Sequence, residues 1–112
     1  MTDREKLRLR MKAEIFKAIG QPIRIGIIEI LRERELPVGQ IAYHMGTDAS
    51  TVSKHLSLLR KLGIVVDRKE GGKIFYKTTV HQLVDYLKCF DGAVLNRLGA
   101  QPAAAPELSA TL

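Results

Sequence analysis

Residues 48–62 read DASTVSKHLSLLRKL. At about 100° per residue, a helix through this stretch lines up Ala49, Val52, Leu56 and Leu59 on one side and Ser50, Ser53, Lys54, Ser57 and Lys61 on the other. Asp48 is a good N-cap, because its carboxylate can accept from the unpaired N–H groups of a first turn, and Gly63 stands where a left-handed terminating residue belongs. The polar side is chemically uneven. It carries three serines and two lysines and no acid after Asp48, whereas an ordinary solvated face mixes Glu with Lys. Short hydroxyls allow close approach of a helix to a partner, and lysines neutralise phosphate charge. The stretch therefore reads as a DNA-recognition helix for a groove about 12 Å wide. The alternative is a plain solvated face, and the neighbouring segments argue against it.

The segment before it supplies a helix-turn-helix. Pro37 stops the preceding helix and opens a short one over 38–44, with Ile41, Ala42 and Met45 facing inward before Gly46 turns the chain. Upstream, Pro22 occupies an N1 position, and Ile23, Ile27, Ile30 and Leu31 mark a helix to about residue 34. At the start of the chain, Thr2 and Glu5 form a capping box, and Leu7, Met11, Ile15, Ala18 and Ile19 recur at helical spacing up to Gly20. Beyond Gly63, β-rich runs at 64–66 and 73–77 flank Gly71-Gly72, a hairpin signal. Arg68, Lys69, Lys73 and Lys77 make this hairpin a basic wing suited to a DNA backbone or minor groove. Thr79 is expected to cap a last helix striped by Leu83, Leu87, Phe90, Val94 and Leu98.

The expected fold is thus mainly α with a two-stranded β-wing, a winged helix-turn-helix in the order α1-α2-α3-α4-β1-β2-α5. One domain over 1–99 serves DNA binding and dimerisation. The aperiodic QPAAAPELSATL after it, within residues 100–112, is expected to be disordered.

Charge and composition agree with a polyanion as partner. The chain has 112 residues and a net charge of +6, and the excess is local. Residues 1–20 hold six basic and three acidic side chains and residues 48–78 hold seven and three, while 21–47 balance. A single cysteine excludes an intrachain disulfide and a CxxC zinc site, which fits a reducing cytoplasm. No apolar run approaches the roughly 18 residues of a membrane span, and residues 1–10 are too charged for a secretory signal, so the expectation is a soluble cytoplasmic protein. No nucleophile–base pairing, phosphate-binding glycine loop or pair of carboxylates marks an enzyme.

The segments FKAIGQPIRIGIIEIL, ELPVGQIA, STVSKHLSLLRKLGIV and EGGKIFY, between Phe16 and Tyr76, together resemble the ArsR-type winged-helix repressors. That resemblance implies a homodimer on an imperfect palindrome, released by an inducer that is often a metal or metalloid. It implies that Ser50, Thr51, Ser53 and Lys54 face the groove, and that the first and last helices form the dimer interface. Leu7, Met11, Ile15, Leu83, Leu87, Phe90 and Val94 are the interface candidates, since these stripes exceed what one small core hides. The rival reading of the basic face is a winged-helix module that binds an acidic protein without specific DNA readout.

The chain departs from the metalloid-sensing branch. Where that branch has ELCVCDL, this chain has ELPVGQI, so Pro37 and Gly39 replace the thiols and thiolate capture at that helix is unavailable. In the last helix, His81, Asp85 and Cys89 recur every fourth residue, a spacing at which metal ligands occur. His81 and Cys89 are eight residues apart, about 12 Å along a helix, so one ion would need ligands from a partner helix. The DxH start and second His of the α5-type zinc sensors are missing. A divalent metal, a redox-active Cys89 and an ordinary polar face with a passive thiol remain the alternatives, and no metal or cofactor is the expectation. His55 is expected to be packed or bonded to backbone instead of reading a base, His44 to cap carbonyls, and Tyr76 to belong to the core.

Overall fold

The computed structural model describes residues 1–99 and divides into two units, one over 1–79 and one from Val80 onward. The first contains α1 (Asp3–Ile19), α2 (Pro22–Glu33), α3 (Val38–Met45), α4 (Ala49–Lys61), β1 (Val65–Glu70) and β2 (Lys73–Thr78). The second contains α5 (His81–Lys88) and α6 (Asp91–Arg97). This is the expected winged helix-turn-helix order, with the last helix in two pieces. The residues expected to form the tail, 100–112, lie outside the described residues.

Each element of the first unit has a local cause. The Thr2 and Glu5 side chains cap one another's backbone N–H groups, at 3.1 and 2.8 Å. Pro22 opens α2, whose buried residues are Ile27, Ile28 and Leu31. Sequence periodicity had indicated Ile23 and Ile30 in place of Ile28, but both are half-buried. Because α2 packs on α1, α3, α4 and β2, more than one stripe of it is covered. Gly46 adopts φ 68°, ψ 31° and donates back to Ala42 and Tyr43, closing α3 in the left-handed conformation that glycine accepts at least cost.

In α4, Val52, Leu56 and Leu59 are buried; Ala49, expected on the same stripe, is the first helical residue and is exposed. The wing is an antiparallel pair with Glu70 opposite Lys73, turned by Gly71 and Gly72 at φ 57° and 79°, the two positive values that a tight hairpin turn demands. On its other edge β2 meets Leu36. The Leu36 and Tyr76 backbones exchange hydrogen bonds of 3.1 and 2.9 Å.

Two expectations at the end of the wing are corrected. Thr79 does not cap the following helix: its hydroxyl donates to the Gly63 and Ile64 carbonyls at 2.7 and 3.1 Å, securing the turn between α4 and β1. Val80 takes the cap position without a side-chain bond. The single last helix breaks at Cys89-Phe90, where N–H groups bond three residues back, to Tyr86 and Leu87. That tightened turn re-phases the stripe. Val84 and Leu95 are the buried residues of the two helices, and Phe90, Val94 and Leu98 are exposed. Among the described residues no helix is long and apolar enough to cross a membrane.

Candidate nucleic-acid interface

The burial of Val52, Leu56 and Leu59 leaves the opposite side of α4 to solvent. Ser50, Ser53, Lys54, Ser57 and Lys61 are all exposed, and Thr51 is half-buried at the edge. Asp48, the acid nearest this face, is used at the helix start, where its Oδ1 accepts from the Thr51 N–H at 2.8 Å. Hydrogen bonds from Thr51, side chain first and backbone second, hold the Asp48 carboxyl below its usual range, so it is ionised at neutral pH. Beyond the cap, the exposed face presents hydroxyl and ammonium groups.

The inner edge of α4 is tied down by a contact that sequence reasoning missed. Arg24 on α2 donates from Nε to His55 Nδ1 at 3.0 Å and from Nη1 to the Ala18 carbonyl at 2.9 Å. His55 is half-buried, which is the packed one of the two expected arrangements, and its bond is to a side chain. Accepting at Nδ1 requires a neutral ring with its proton on Nε2. Burial first, and the Arg24 charge second, push its pKa below the ordinary 6.5.

The outer end of α4 is joined to the wing through Arg60, whose Nη1 lies 3.2 Å from Asp67 on β1. Neither Arg60 nor its partner was singled out from the sequence.

The four basic wing residues divide into two kinds. Lys69, Lys73 and Lys77 are exposed and have no carboxylate partner among the described residues. Arg68 is also exposed, but three neighbours engage it. Its Nε lies 2.7 Å from Glu35, its Nη1 pairs with Glu70, and its guanidinium sits 4.8 Å from the Phe75 ring centroid. Glu70 first, then Glu35, raise the Arg68 pKa further above its already high ordinary value.

Within one chain the last-helix candidates do not cluster. His81, Asp85 and Cys89 are exposed, the Cys89 thiol donates to the Asp85 carbonyl at 3.8 Å, and no group of three metal-ligating side chains comes together among the described residues. His44 lies in the last turn of α3 with its Nε2 3.3 Å from Arg34 Nη2. Together with Ile30 and Glu33 these two line an open cleft of about 310 Å³. Tyr76 is half-buried and contributes backbone pairing to Leu36.

Known proteins bear on this geometry. The model of the arsR family of bacterial regulatory proteins matches residues 21–66. An uncharacterized HTH-type transcriptional regulator of Methanocaldococcus jannaschii is 39% identical over 80 residues, 70% of this chain and 90% of the relative. The transcriptional repressor SdpR of Bacillus subtilis is 34% identical over 70 residues, covering 61% of this chain and 78% of the relative. Among solved structures, the homodimeric winged helix-turn-helix DNA-binding domain of a possible ArsR-family regulator from Mycobacterium bovis superposes with a TM-score of 0.77 at 27% identity, covering 86% of this chain and 93% of that one. The family pattern falls on the helix-turn-helix itself and the relatives match over most of their own length, so this chain belongs to the ArsR family of bacterial regulatory proteins.

Proposed function

We propose that the protein is a homodimeric transcriptional repressor that reads operator DNA with the exposed face of α4 and grips the backbone with its wing. The observation that carries this reading is that face: five hydroxyl and ammonium side chains presented together, with the nearby acid engaged in the cap. Ser50, Thr51, Ser53 and Lys54 contact base edges and adjacent phosphates, Ser57 and Lys61 extend the contact along the helix, and Lys69, Lys73 and Lys77 neutralise phosphates. Arg68 differs from these in being already paired. The solved neighbour from Mycobacterium bovis is described as a homodimer and the Bacillus subtilis relative as a repressor, which supports both parts of the proposal.

The dimer would use the exposed apolar strips of the terminal helices. In α1, Leu7 and Met11 are exposed and Ile15 half-buried; Leu83 and Leu87 are half-buried, and Phe90 and Val94 exposed. Such surface is stabilised by burial against a second copy. In this reading the protein works in the cytoplasm, catalyses no reaction, needs no bound metal or cofactor, and is released by an inducer.

The test is an anisotropy titration of duplex DNA from upstream of the encoding gene against random duplex, at two salt concentrations. A specific repressor keeps its preference as salt rises. Equal affinity for both duplexes would overturn the repressor reading in favour of a protein-interaction module.

A further inference from the structure

We propose that Arg68 is a positioning residue for the wing: through Glu35 it clasps the hairpin to the connection between α2 and α3, and so aims the wing lysines, instead of contacting DNA itself. This rests on the DNA-binding reading above and adds a role for two residues within it.

The clasp spans the sheet. Arg68 is on β1, Phe75 faces it on β2, and Glu35 precedes Leu36, whose backbone pairs with Tyr76 on the far edge of β2. Successive side chains of a strand alternate between faces, so Arg68, Phe75, Lys73 and Lys77 share one face of the hairpin. The guanidinium lies over the Phe75 ring and reaches the Glu35 carboxylate at 2.7 Å on the other side, while Glu70 holds it from its own strand. One planar group thereby touches β1, β2 and the connection that carries Leu36.

The chemistry of the residue suits this task. A guanidinium is a rigid fork that combines hydrogen bonding with stacking on a ring, which an ammonium does not reproduce. Its electrostatics argue against a phosphate contact. With two carboxylates beside one cation the local charge is negative, and an incoming phosphate would have to displace a bound carboxylate. Lys69, Lys73 and Lys77 have no such competitor among the described residues. As an exposed pair the clasp adds little to stability. Its loss therefore leaves a folded protein with a wing whose orientation is less restricted, held by the Leu36–Tyr76 bridge and by Arg60–Asp67.

The decisive variant is Glu35→Gln in the full chain, since charge and positioning predict opposite signs. Removing an acid near a polyanion should tighten DNA binding if charge alone matters. If the clasp aims the wing, affinity for the upstream duplex falls roughly three- to tenfold and the salt slope shrinks by about one unit for each wing lysine that loses its phosphate. Arg68→Lys keeps the charge but loses the fork and the stack, and is expected to bind as weakly as Arg68→Ala. Glu35→Gln combined with Arg68→Ala should be no weaker than Arg68→Ala alone. A measurement without DNA accompanies these: hydrogen exchange at the Leu36 and Tyr76 amides should quicken in Glu35→Gln while the thermal midpoint stays near that of the wild type. Tighter or unchanged DNA binding by Glu35→Gln, wild-type affinity in Arg68→Lys, or unchanged amide exchange would each overturn the proposal. Failure of the DNA reading shows itself differently, as a wild type that does not distinguish the upstream duplex from random DNA.

Discussion

Replacing Arg24 with Met keeps an unbranched apolar stem and removes the two bonds that link α4, α2 and the end of α1. The lost contacts are Nε to His55 at 3.0 Å and Nη1 to Ala18 at 2.9 Å, both part-buried. At about 0.5–1.5 kcal/mol per net hydrogen bond, and with partial solvent access lowering the upper end, Arg24→Met should cost about 1–2 kcal/mol. For a domain of this size that corresponds to a thermal midpoint lower by about 4–16 °C. The same contact makes stability depend on pH. Because His55 is harder to protonate in the folded chain, the unfolded state binds more protons once pH falls below 6.5. The stability due to neutral His55 is therefore complete above 6.5 and is lost as pH drops through 6.5 towards the lowered folded value. Urea denaturation at about pH 7.5 and about pH 5.5 should show the wild type weaker in acid, and His55→Gln less sensitive to the change. Arg24→Met should fall between them, since burial of His55 persists and the Arg24 charge is gone. Stability of Arg24→Met within about 0.3 kcal/mol of wild type at the higher pH would refute the reasoning, because the bonds would then contribute nothing net.

On the reading face, Lys54→Ala or Ser53→Ala should weaken specific binding by about 1–3 kcal/mol while leaving random-duplex affinity less affected; unchanged specific affinity in Lys54→Ala would mean that α4 presents a different face to DNA. Lys73→Ala or Lys77→Ala should lower affinity for all sequences alike and reduce the salt slope by about one unit, read from titrations at several salt concentrations. Leu87→Glu or Phe90→Glu should give monomer or aggregate in sedimentation, and a wild type that is already monomeric at micromolar concentration would remove the two-half-site model. Arsenite should not release the protein from DNA, because Pro37 and Gly39 offer no sulfur; release in the wild type but not in Cys89→Ser would reveal a two-thiolate site across the dimer.

The sequence by itself determined what depends on near neighbours. The two faces of α4, its Asp48 cap, the Thr2–Glu5 capping box and the Gly71-Gly72 turn all follow from residues within about one helical turn or one hairpin of each other, where spacing alone places side chains together. The charged polar face and the basic wing were legible for the same reason, and with them the fold class. Tertiary structure decided what depends on the path of the chain. Arg24 and His55 are 31 positions apart and Glu35 and Arg68 are 33 apart, so no periodicity joins them. Arg68 and Lys69 are adjacent and both cationic. The return of Glu35 beside β2, added to Glu70 on the same strand as Arg68, makes one a bound clasp and leaves the other an open cation. Thr79 has the composition of a helix cap, yet the Gly63 and Ile64 carbonyls brought next to it by the turn after α4 take its proton instead. A side chain's type restricts the bonds it can make, and the fold chooses among them by deciding which partner arrives within reach.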